Sequence, residues 1–154
     1  MLLIINWIWR KYLLNNNTYK KIQKYLYNYK SIDKTINAIK LDMIDYNYLG
    51  YNNWLKAISN NGKTLENNII DIENNRKILK LQKWKKLISE ILEHYKETDN
   101  IKYQYICLKY FENKTIEEIQ NKLKLNKKEQ RDMQIVILQH IFLYSIKKKL
   151  LKYE

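Results

Sequence analysis

The chain has 154 residues, enough for one domain or a small domain with a helical extension, and 45% of them are hydrophobic, which excludes a disordered chain. It has no proline, its only glycines are Gly50 and Gly62, and its apolar residues recur at three and four rather than at two, so the expected class is all-α. Lys and Arg number 29 against 16 Asp and Glu, a net charge of +13, which suits a polyanionic partner and equally suits the solvated helix faces of a lysine-rich composition.

In chain order, the first segment is MLLIINWIWRKYLL. It has no basic residue ahead of its apolar run and no small-residue cleavage site, so it does not read as a signal peptide. It is also too short to span a bilayer. Residues 1–17 are left as an apolar segment of undetermined structure. From Thr18 a long helix is expected, because Ile22, Tyr29, Ile36 and Met43 fall seven apart, as do Tyr25, Ile32, Ile39 and Tyr46. That seam fits a helix lying on a neighbour within the chain, or a coiled coil between chains.

The stretch YLGYNNWLKAISNNGK, Tyr48 to Lys63, interrupts the pattern and is the expected loop. Thr64 then caps a second long helix with Leu65, Ile69, Ile72 and Leu79 on one stripe, followed by a shifted stripe of Leu81, Trp84, Ile88, Ile91 and Tyr95. Residues 18–98 are therefore expected to be a helical hairpin or coiled coil. From 99 to 154 the grain is finer. A short helix from Ile101 to Phe111 precedes a turn at Glu112 to Lys114. Thr115 with Glu118 makes a capping box for a helix to Leu123, and Asn126 with Glu129 makes a second box for a final helix reaching about Leu151.

The charge excess sits at the two ends. Residues 1–50 carry 8 basic and 3 acidic groups, residues 51–100 carry 9 and 7, and residues 101–154 carry 12 and 6. No catalytic set stands out: the two histidines, His94 and His140, are 46 residues apart, one cysteine cannot support a structural zinc site, and no glycine-rich phosphate loop is present. His140 is expected to be a half-buried core residue, His94 a surface one and Cys107 a buried inert thiol. A single cysteine excludes an internal disulfide and fits a reducing cytoplasm. An enzyme is not expected, nor a cofactor, nor a metal, nor a membrane span.

TIEEIQNKLKLN, Thr115 to Asn126, resembles the bihelical unit of sigma-factor region four. With LYNYKSID (Leu26 to Asp33), KLDMIDY (Lys40 to Tyr46) and LKYFENKTIEEI (Leu108 to Ile119), the layout from Tyr19 to Leu150 is similar to phage late-transcription regulators of the RinA/ArpU type. The resemblance implies a DNA-binding transcription regulator of a phage or prophage. It places Ile116, Ile119, Leu123 and Leu125 at the apolar positions that hold the two helices together. Lys127, Lys128, Arg131 and Gln134 match the exposed first turns of the reading helix. Lysine answers phosphate charge there, and arginine or glutamine can bond base edges. Two positions depart from the pattern. Gln120 stands where alanine or glycine is usual, and Gln130 where valine or a similar residue packs. Each would have to reach solvent or bury an amide.

The final helix is apolar nearly all round, from Ile135 to Ile146, and so calls for cover on more than one side, as a homodimer would give. Lys147 and Lys148, in the basic cluster Lys147 to Lys149 at its end, are further candidate phosphate contacts. The expected partners are double-stranded DNA, RNA polymerase and a second copy of the chain. The expected setting is the bacterial cytoplasm, at the nucleoid or in a phage-infected cell. Two alternatives stay open. One is a DNA-packaging protein like a terminase small subunit. The other is a basic helical interaction or inhibitor module of a mobile element, whose basic surface would meet an acidic protein or guide RNA. Separately, Tyr19 and Tyr27 are the more exposed rings that could stack unpaired bases.

Overall fold

Helix α1, Asn16–Tyr27, places Ile22 and Leu26 on one face, and both are fully buried. In this computed structural model residues 16–54 and 72–151 are described, and every regular element among them is helical. The long helix expected from Thr18 is interrupted. Asn28 donates from both its backbone N–H (3.1 Å) and its side-chain amide (2.8 Å) to the Lys24 carbonyl, which closes α1. An asparagine side chain of this kind competes with the next helical hydrogen bond. A 3-10 turn, Tyr29–Ser31, follows, and the chain restarts as α2, Ile32–Trp54.

Helix α2 runs to Trp54, through Gly50, so the expected loop does not begin at Tyr48. A lone glycine costs a helix only about 1 kcal/mol and does not stop it. Residues 55–63 of that loop, the cap at Thr64 and the stripe positions Leu65 and Ile69 lie outside the described residues, as does most of segment 1–17. The next described helix is α3, Arg76–Thr98. Asn75 caps it, its Oδ1 accepting from the N–H groups of Lys77 (2.9 Å) and Ile78 (3.2 Å). Leu79 is exposed and Ile78 is buried in its place, whereas Trp84, Ile88, Ile91 and Tyr95 are buried as the second stripe predicts.

Asp99 accepts from the Lys102 N–H at the start of α4, Asn100–Ile106, and pairs with the Lys102 ammonium at 2.7 Å. Those bonds, the side-chain one first, hold its carboxyl below the usual carboxylate range. The chain then widens into a π-helical turn, Cys107–Phe111, closed by the Glu112 N–H on the Cys107 carbonyl at 3.0 Å. Helix α5, Ile116–Leu123, and helix α6, Lys127–Lys147, complete the order. Helix α6 stops four residues short of Leu151. Ser145 turns its hydroxyl onto the Phe142 carbonyl at 2.6 Å, and Lys149 adopts φ 56°, which folds the end back and buries Leu151.

The described packing falls into two units. One holds the described chain up to Lys30 together with the described chain from Trp84 onward. Its core joins Ile22 and Leu26 of α1 to Trp84, Leu87, Ile88 and Ile91 of α3, Tyr105 and Ile106 of α4, and Ile137, Leu138 and Ile141 of α6. The other unit spans Ser31–Lys83, with Ile32, Ile36 and Ile78 buried and the Asn75 amide on the Met43 sulfur at 3.3 Å. Among the described residues no helix is long and apolar enough to cross a membrane.

Candidate functional site

Local sequence sets the geometry of α5 and α6. Thr115 accepts from the Glu118 N–H (3.2 Å) while Glu118 accepts from the Thr115 N–H (2.8 Å). Asn126 and Glu129 repeat the reciprocal arrangement at 2.9 Å in both directions. Each box satisfies two backbone donors that a helix start leaves open. Between the boxes Lys124 ends α5 in the left-handed region, φ 53° and ψ 43°, and its N–H returns to the Gln120 carbonyl. A side chain with a Cβ is strained there, so Lys124→Gly is expected to raise the unfolding free energy by about 1 kcal/mol in a thermal or urea melt.

Ile119 is buried in the core, Leu123 and Leu125 are half-buried, and Ile116 stands 56% exposed, so Ile116 does not hold the pair together. Much of that role passes to the two glutamines. The Gln120 Nε2 donates to the Gln130 Oε1 at 3.0 Å, and Gln130 is only 4% exposed. Neither has to reach solvent or bury a bare amide, because each answers the other. Gln130 also bonds the buried Tyr105 hydroxyl. Burial pushes that hydroxyl up to about 12, with the Gln130 bond opposing.

The same hydroxyl joins a wider polar set. It donates to the Gln134 Oε1 at 3.4 Å and accepts from the Lys109 ammonium at 3.2 Å. Gln134 in turn donates to the Tyr19 hydroxyl at 2.6 Å. Gln134 is therefore half-buried and held by Tyr19 of α1 and Tyr105 of α4, whereas Lys127, Lys128 and Arg131 are exposed. Burial lowers the Lys109 ammonium below its ordinary value. Sequence reasoning missed Tyr19, Tyr105 and Lys109 as partners of this region. Tyr19 and Gln134 are separated by 115 positions, a pairing no local spacing signals.

Lys127, Lys128 and Arg131 lie exposed on the first turns of α6. Glu129, between them, has its carboxylate on the Asn126 N–H, and Asp132 is exposed. Lys122 and Lys124, also exposed, bring two more positive charges to the end of α5. Of the distal candidates, Lys147 is exposed, whereas Lys148 pairs with Glu90 at 3.0 Å. The chain itself covers most of α6: Ile137, Leu138, Ile141 and Phe142 are buried, and Val136 and Leu143 remain exposed.

His140 is half-buried, its Nδ1 2.8 Å from the Tyr95 hydroxyl and its ring edge-on to His94 and Tyr144. Burial first, then the neighbouring His94 and Lys102, lowers its pKa, so the ring is held neutral near pH 7. Cys107 faces an open cleft of about 440 Å³ that Tyr29, Lys30, Tyr103 and Phe111 also line. Burial raises its thiol pKa, with a bond from Tyr103 opposing, which keeps the sulfur protonated and poorly nucleophilic. Among the described residues no three His, Cys, Asp or Glu side chains gather as a metal site.

In comparisons with known proteins, no family model, no curated protein and no solved structure matches the chain.

Proposed function

We propose that the chain is a DNA-binding transcription regulator of phage or prophage type that contacts duplex DNA through α5 and α6. The observation that carries this reading is the doubly capped pair of helices with Lys127, Lys128 and Arg131 exposed at the start of the second. In a helix-turn-helix, that end of the second helix enters the major groove. Lysines there neutralise phosphates, and arginine can take a guanine edge through two bonds. Because Gln134 is held by Tyr19 and Tyr105, base reading falls chiefly to Arg131. Two copies of the chain would present two such helices to a split site, and Lys147 would add a phosphate contact. RNA polymerase is the partner an activator of this class would meet.

The test is fluorescence anisotropy of labelled duplexes from the gene's own genomic neighbourhood against random duplex at two salt concentrations. One segment is expected to bind at least about a thousandfold tighter than random. Arg131→Ala is expected to cost about 1–3 kcal/mol and relax the preference at one base position. Lys127→Ala is expected to weaken all sequences alike and lower the salt slope by about 1. Equal, weak and steeply salt-dependent binding to every duplex would sink the specific regulator and leave charge alone.

A further inference from the structure

Helix α1 carries Lys20, Lys21 and Lys24 and no acidic residue. In α3 the basic residues from Arg76 to Lys86 are followed by Glu90, Glu93 and Glu97, whereas α1 has no acidic residue along its whole length. Lys20 and Lys24 stand one helical turn apart, where like charges destabilise a helix unless an anion lies over them. At about 100° per residue, Lys20, Lys24 and Tyr27 share one flank of α1, while Ile22, Tyr25 and Leu26 turn toward the core.

That flank borders the candidate interface. Tyr19 bonds Gln134 at 2.6 Å, and Arg131 lies within electrostatic reach of the Tyr19 hydroxyl. The Tyr27 ring, 47% exposed, meets Tyr110 edge-on at 4.9 Å between centroids. The Lys109 ammonium lies over the rings of Tyr105 and Tyr110 at 5.6 and 5.7 Å. The basic start of α6 and the basic flank of α1 are thus joined through one set of tyrosines.

We propose that Lys20, Lys24 and Tyr27 of α1 form a second wall of the nucleic-acid contact, gripping the backbone of the duplex whose groove the start of α6 enters. This rests on the reading of α5 and α6 as a duplex-binding unit. Lys20 and Lys24 neutralise phosphates beyond those met by Lys127 and Lys128, and Tyr27 packs its exposed ring and hydroxyl on the sugar–phosphate chain. A duplex is the fitting ligand because the neighbouring rings are spent: Tyr25 stacks on Trp84 and Tyr29 on Phe111. One open ring does not make the run of stacking platforms that unpaired bases require.

The full chain and its variants are titrated with a labelled random-sequence duplex at two salt concentrations. Lys20→Gln with Lys24→Gln is expected to lower the slope of log affinity against log salt by about 1.8, one phosphate contact per lysine. Tyr27→Ala is expected to lose about fivefold at both salts with the slope unchanged. Lys20 and Lys24 are exposed, so the thermal melt of the double lysine variant by circular dichroism is expected to stay near wild type. Tyr27→Ala gives up its edge-on contact with Tyr110 and is expected to melt slightly lower and still cooperatively. If these variants bind as wild type does while Lys127→Ala and Arg131→Ala weaken binding, the second wall is overturned and the α5–α6 reading stands. If the unaltered chain binds no duplex, that reading fails and takes the wall with it.

Discussion

Replacing Trp84 with alanine is expected to lower the unfolding free energy by about 3–5 kcal/mol in a urea titration followed by circular dichroism. Trp84 is 0% exposed and sits in the core that joins α1, α3, α4 and α6. Its indole stacks on Tyr25 with centroids 4.2 Å apart and planes within 9°. Alanine removes that contact and opens a void among Leu87, Ile88 and Ile22, which relaxation fills only in part. A domain of this size has about 5–15 kcal/mol of stability in all, so the loss brings the unit close to unfolding. The indole N–H has no hydrogen-bond partner among the described residues. Trp84→Phe therefore forfeits volume and no hydrogen bond, and is expected to cost less than half as much. Equal losses for the two variants would mean that the indole nitrogen, and not the ring, holds the site together.

What the sequence made legible was local. Both capping boxes are four-residue signals, and α5 and α6 start where those signals say. The exposure of Lys127, Lys128 and Arg131 follows from the same start positions. The break after Asn28 was not legible, because the heptad seam runs straight through it. Tyr25 and Tyr29 keep their spacing yet meet different partners, Trp84 and Phe111, which a repeat along one helix cannot distinguish. Lys148 reads as a free end-of-helix cation until Glu90, 58 residues away, is brought beside it. Gln134 reads as a base-edge donor until Tyr19 takes its amide. The misses at Lys148 and Gln134 are long-range pairings that override a sound local expectation, whereas the break at Asn28 is a local bond to Lys24 that the repeat does not show.

Gln120 and Gln130 test this point most sharply. Read one at a time, each is a polar residue in an apolar place. Read together they are one half-buried hydrogen bond of 3.0 Å, with Tyr105 as a third member. Gln130→Ala leaves the Gln120 amide without its acceptor and is expected to cost about 2–3 kcal/mol. The double variant Gln120→Ala, Gln130→Val removes both polar groups at once. It is expected to lie within about 1 kcal/mol of wild type, since replacing both partners by apolar groups can be nearly neutral. Tyr105 keeps Lys109 and Gln134 as partners in that variant. The cycle completed with Gln120→Ala and Gln130→Val should then give a coupling of about 1–2 kcal/mol. Additive losses would mean that the amides act independently and that the helix pair is held chiefly by Ile119 and its neighbours. Duplex titration of the double variant adds the functional half of the argument. Unchanged affinity assigns the pair to packing alone and leaves the proposed reading role with Arg131. A selective loss of affinity without loss of stability would instead place the Gln120 amide at the DNA surface.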